Sequence, residues 1–66
     1  MKTAPNRTPP LAVPLDEAAR LLGVSRDSLE RHVLADLRIV RRGRLRLVPV
    51  RELERWLERE AAKTLS

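Results

Sequence analysis

The chain has no cysteine, no phenylalanine and no tyrosine, and only one tryptophan, one histidine and two glycines in 66 residues. Without cysteine there is neither a disulfide framework nor a thiolate metal site. The lone His32 has no partners with which to build a zinc site. With Trp56 the only aromatic residue, the core must be aliphatic. Length limits that core too, since a chain of roughly 55–65 residues holds one domain and buries only about 60% of its unfolded surface. No segment approaches the roughly 20 apolar residues of a membrane span. Residues 1–14 lack the apolar run of roughly 7–15 residues that a signal peptide requires, so a cytoplasmic location is expected by default. Nor is there a nucleophile–base pair, a metal cluster or a phosphate-cradling glycine loop. The expectation is a protein that is not an enzyme and has no cofactor and no small-molecule substrate.

What is abundant is arginine. Fourteen Lys and Arg face nine Asp and Glu, for a formal net charge of +5. From Leu37 to Arg51 there are six arginines (38, 41, 42, 44, 46 and 51) and no acid. Acids return between Glu52 and Glu60, interleaved with Arg55 and Arg59. A basic stripe confined to one stretch beside a charge-balanced helix is the footprint of a phosphate-binding surface. Glu52 and Glu54 read as solvated charges on an exposed helix face.

Local patterns divide the chain. Residues 1–10 carry three prolines and almost nothing to bury, and read as a flexible arm before a domain over 11–62 and a short tail over 63–66. A first helix is expected from Pro14, pre-set for a first helical turn, with Asp16 and Glu17 at the positive end of the helix dipole. Leu15, Ala18, Ala19 and Leu22 form its apolar face, and Gly23 ends it. Ser25 is an N-cap for a second helix from about Arg26 to Leu34, with Leu29 and Val33 inward. The segments 37–41 and 45–48 alternate aliphatics with arginines as half-buried strands do. Arg42-Gly43-Arg44 lies between them as a hairpin tip. Pro49 opens a third helix whose Val50, Leu53, Trp56, Leu57 and Ala61 should close the core.

The segment from Ala18 to Val33 meets the demands of a helix-turn-helix together. Ala19 is small where two crossing backbones touch, Gly23 makes the turn, Val24 fills its apolar slot, and Leu29 plugs the angle from the second helix. An αα-hairpin needs only the glycine. The predicted fold is α+β, mainly α: a small winged helix-turn-helix with a two-stranded β-hairpin wing and a C-terminal helix.

The stretches LAVPLDEAARLLGVSRDSLERHV and RIVRRGRLRLVPVRELERWL resemble the excisionase-type winged-helix domains, relatives of the DNA-binding heads of MerR-like regulators. The resemblance covers about residues 11–58 and is most specific in EAARLLGVSRDSL and VPVRELERWL. It implies a small double-stranded-DNA-binding protein. Many members are excisionases, recombination directionality factors of phages and integrative elements, which bend attachment-site DNA and act with an integrase; others regulate transcription. Two departures bear on sequence preference and wing angle. Only Leu34-Ala35-Asp36 stand where members usually carry a glycine and often one more residue, and Glu30 replaces an aromatic.

In such a protein the second helix would enter the major groove N-terminal end first. Ser25, Arg26, Ser28 and Arg31 are its candidate contacts, with Arg26 reading guanine and Ser25 mainly a cap. Asp27 and Glu30 would face a cytosine amino group, a neighbouring arginine or solvent. In the wing, Arg42, Gly43 and Arg44 would reach the adjacent minor groove, with Arg41 and Arg46 gripping phosphates. One small module reads few base pairs, which suggests several copies associating head to tail along DNA. The competing class is a protein-interaction adaptor using the alternating charges of the third helix.

Overall fold

The computed structural model describes residues 10–65; all of the expected N-terminal arm except Pro10 lies outside them. The order is β1 (Ala12–Pro14), α1 (Leu15–Leu22), α2 (Arg26–Ser28), β2 (Val40–Arg42), β3 (Leu45–Pro49) and α3 (Val50–Leu65). Helical backbone continues beyond α2 through a π-helical stretch, Leu29–Val33, and a 3-10 turn, Leu34–Asp36. The winged helix-turn-helix is thus present, with one addition.

That addition is β1. The wing is not a free two-stranded hairpin but part of a three-stranded antiparallel sheet, ordered β1-β3-β2. β1 pairs Val13 with Val48 and Pro14 with Leu47. The Val50 N–H also donates to the Leu11 carbonyl at 2.8 Å, tying the start of the domain to the start of α3. Three residues are too few for an alternating pattern, so no periodicity announces this strand. Pro14 is the last strand residue and the N-cap of α1, with φ −64° and ψ 166°, rather than its first helical residue.

The turn after α1 has the hydrogen bonding of a Schellman motif. Gly23 takes φ 79°; its N–H bonds the Arg20 carbonyl at 3.1 Å, and the Val24 N–H bonds the Ala19 carbonyl at 3.0 Å. Ser25 then caps α2, its Oγ accepting from the Ser28 N–H at 3.0 Å. Val24 does not fill an apolar slot as expected; it is 39% exposed, and its backbone rather than its side chain secures the turn.

The core comprises Val13, Leu15, Ala18, Ala19, Leu29, Val33, Leu37, Val48 and Leu53. Ala19 and Leu29, the contact and the plug of the motif, are both buried. The third helix contributes less than expected. Leu53 is buried and Val50 and Trp56 pack against the core from its edge, but Leu57 is 48% exposed and Ala61 is exposed. Trp56 stays half-buried because its indole N–H reaches outward to Asp36 Oδ2 at 3.2 Å. That bond ties α3 to the end of the second helix.

The strand expected from Leu37 begins only at Val40. Leu37 is a core residue whose N–H still bonds the Leu34 carbonyl at 3.1 Å, and the Arg38 N–H is taken by Glu52 Oε1 at 3.0 Å. With these donors committed elsewhere, the ladder cannot start earlier.

Candidate nucleic-acid interface

Strand alternation sorts the wing residues onto two faces. Arg41 stands opposite Arg46, and two residues along β3 from Arg46 comes buried Val48, opposite Val13. Arg41 and Arg46 therefore share the core-side face of the sheet, beyond the point where the core ends. Like charges directly across a ladder destabilise it, so this pair costs the isolated protein stability. The other face carries Arg42, Val40, Leu45, Leu47 and Pro14, of which Val40 and Leu45 are 45% and 50% exposed.

The hairpin tip is tighter than expected. Arg42 pairs with Leu45, leaving Gly43-Arg44 as a two-residue turn. Gly43 has φ 57°, and among the described residues only the two glycines have positive φ. Glycine first and an ordinary residue second is the pattern of a II′ turn, whose twist matches that of the strands it joins. An added Cβ at Gly43 would meet nothing within 4 Å, so the requirement for glycine is one of backbone conformation alone.

Four of the sequence-selected residues, Arg26, Gly43, Arg44 and Arg46, line one cleft of about 500 Å³, while Ser25, Ser28, Arg31, Arg41 and Arg42 are not among its lining residues. Gly43, Arg44 and Arg46 line the wing side, and Asp16 and Arg26 the helix side. Among the described residues, Arg41, Arg42, Arg44 and Arg46 have no carboxylate partner, and neither has Arg51 at the start of α3. The arginines of the helix-turn-helix are different. Arg31 Nε meets Asp27 Oδ2 at 3.1 Å, and Arg20 pairs with Glu17. Arg26 donates through Nε to Glu30 Oε2 at 2.8 Å and through Nη1 to Asp16 Oδ1 at 2.5 Å. These contacts raise the Arg26 pKa further, the Asp16 hydrogen bond most and the Glu30 bond next. Of the three options for Asp27 and Glu30, both take the neighbouring arginine. Ser28 is half-buried beneath the cap of Ser25.

Two acids that matter here were not singled out from sequence. Asp16 read only as a helix-dipole residue, because its partner lies ten positions away across a turn. Glu52 read as solvated, yet its side chain is only 12% exposed. It accepts from the Arg38 N–H and, at 3.2 Å, from Arg55 Nη1. Its carboxyl is held below the ordinary carboxylate range, first by the Arg38 backbone bond and then, against desolvation, by the field of Arg55, Arg38 and Arg59. Glu52 thereby anchors the segment leading into the wing. No helix among the described residues is long and apolar enough to cross a membrane.

Neither the curated proteins nor the solved structures provide a match to this chain. A family model described as a helix-turn-helix domain matches residues 15–61, from the first residue of α1 into the second half of α3. That span takes in the Schellman turn, the capped second helix and the arginine-rich hairpin, and it supports a DNA-binding function. With the buried Ala19–Leu29 crossing and the Gly23 turn on which such a domain depends, the chain belongs to the helix-turn-helix domain family.

Proposed function

We propose that the protein is a sequence-specific, architectural DNA-binding protein acting as an excisionase or recombination directionality factor. The second helix lies in the major groove, with Ser25, Arg26, Ser28 and Arg31 toward the DNA and Arg26 reading guanine. The wing extends to the neighbouring minor groove through Arg42, Gly43 and Arg44, while Arg41 and Arg46 hold phosphates. One observation carries this reading: among the described residues the hairpin's arginines have no carboxylate partners, beside a helix-turn-helix whose arginines are paired. Uncompensated like charge across a ladder, Arg41 opposite Arg46, is what a polyanion would relieve.

A small regulator of transcription with the same fold would use the same contacts. The exposed apolar outer face of the sheet, at Val40 and Leu45, favours a protein contact alongside DNA. That contact would be with an integrase or with a second copy head to tail.

The test is binding to a random duplex and to duplexes selected from a random pool, measured between about 50 mM and about 200 mM salt, with gel mobility reporting bending. Five phosphate contacts give a log–log slope of roughly −4 to −5. Replacing Arg41 and Arg46 together by Gln should reduce its magnitude by about 2. Successive shifted bands on the selected site indicate several copies. Absence of binding at low salt would overturn DNA recognition and leave the adaptor reading.

A further inference from the structure

We propose that Asp16 and Glu30 reserve Arg26 for uncharged acceptors on base edges by making its surroundings repel phosphate. The inference rests on the DNA-binding reading and deepens it, by assigning specificity to two acids that need not touch DNA.

The geometry is a guanidinium between two carboxylates. Glu30, one turn along the second helix, takes the Nε–H, and Asp16, in the first turn of α1, takes Nη1. Among the described residues, Nη2 has no partner. Arg26 is 44% exposed, Glu30 43% and Asp16 80%, so the cluster faces solvent at the helix side of the cleft. One cation and two anions sum to a net charge of minus one. Coulomb repulsion between this cluster and a phosphate opposes any gain from the remaining donors. Guanine O6 and N7 carry no net charge, so hydrogen bonds to them avoid that penalty.

Across the cleft the arrangement is reversed. Among the described residues, Arg44 and Arg46 have no carboxylate near enough to pair, and a cation without a partner attracts phosphate wherever the backbone passes. A strand threaded through the cleft is therefore held by its phosphates on the wing side and kept off Arg26 on the helix side. Holding two of its three nitrogens also limits the rotamers of a long side chain before DNA arrives, which lowers the ordering cost of a directed contact. Asp16 and Glu30 act through Arg26 and are positioning residues.

The experiment uses the full chain as wild type, Asp16→Asn, Glu30→Gln and Glu17→Gln. Glu17→Gln changes net charge equally but removes the partner of Arg20 instead. Each protein is titrated with a random duplex and with the duplex preferred by wild type, across salt. Asp16→Asn should bind random duplex several-fold more tightly and steepen its log–log slope by about 0.9, the signature of one added phosphate contact. The ratio of preferred to random affinity should fall. Glu30→Gln should move all three quantities in the same direction, and Glu17→Gln should leave slope and ratio close to wild type. If wild type binds DNA and Asp16→Asn matches Glu17→Gln in slope and ratio, the inference is wrong while the DNA-binding reading stands. If wild type binds neither duplex, the DNA-binding reading falls and takes the inference with it.

Discussion

The helix-turn-helix and the wing treat the same residue type in opposite ways. In the helix-turn-helix, Arg20 and Arg31 each have a carboxylate three or four residues away, and Arg26 has one at that spacing and another across the turn; α3 is mixed, with Arg55 and Lys63 paired and, among the described residues, Arg51 and Arg59 not. On the hairpin, Arg41, Arg42, Arg44 and Arg46 have none among the described residues. Helical geometry makes local neutralisation easy, since residues three and four apart are neighbours. A strand sends successive side chains to opposite faces, and here the cross-strand neighbour of Arg41 is another arginine. The core follows the same divide. It is continuous from Val13 and Val48 through Leu29 to Leu53, and it stops before Val40 and Leu45. One region is organised around its own interior, and on the proposed reading the other is completed by DNA.

The contrast can be broken most forcefully from the core side. Leu29→Ala should cost about 2–5 kcal/mol, enough to unfold a domain whose core supplies no more than about 3–5 kcal/mol. Leu45→Ala, half-exposed on the wing, should stay within about 0.5 kcal/mol. Thermal melts of the two variants check the difference, and equal losses would mean that the wing is as much a part of the core as the helices.

A smaller effect should run the opposite way. Arg41→Thr removes the like-charge pair with Arg46 and should stabilise the free protein by roughly 0.2–1 kcal/mol at low salt, while weakening DNA binding. A melt and a binding titration on the same sample would show stability and affinity moving apart. A variant that gains neither stability nor loses affinity would remove the case for a wing built for an external anion.

The smallest effect concerns the junction between the regions. The Glu52 carboxyl is held below its ordinary range, so it contributes stability that is fully present above that range. The contribution is lost as pH falls through the folded-state value. Hydrogen exchange at the Arg38 amide, followed into acid, should show this protection fading. Glu52→Gln should flatten the acid dependence at that amide and leave the Ser28 amide, capped by a hydroxyl, unaffected.

Much of the architecture was legible because it is written in short-range signals. Gly23 ends α1 and Ser25 caps α2 through contacts no more than five residues long. The hairpin shows as alternating residues around Gly43, although the ladder is tighter at its tip and starts later than alternation alone suggests. What was missed acts at a distance. β1 is recognisable only once β3 lies beside it. Glu52 looks like any surface acid until Arg38, fourteen positions earlier, presents its N–H. Leu57 and Ala61 have core spacing but fall where the core has already ended, whereas Leu37 lies in what reads as a strand and is buried below the last helical turn. Of the candidate interface, the wing arginines were readable from charge segregation, and the neutralisation of Arg26 by Asp16 was not.

By itself the sequence determined the helix-turn-helix, the hairpin after it and the basic character of that hairpin. Capping, glycine turns and charge runs are local properties of a chain and survive without knowledge of its path. Only the tertiary structure decided that the hairpin has a third strand, that Arg26 meets Asp16 across the turn and that Arg38 donates its N–H to Glu52. Those outcomes depend on residues ten or more positions apart meeting in space, and no local periodicity encodes where two such residues will come to lie.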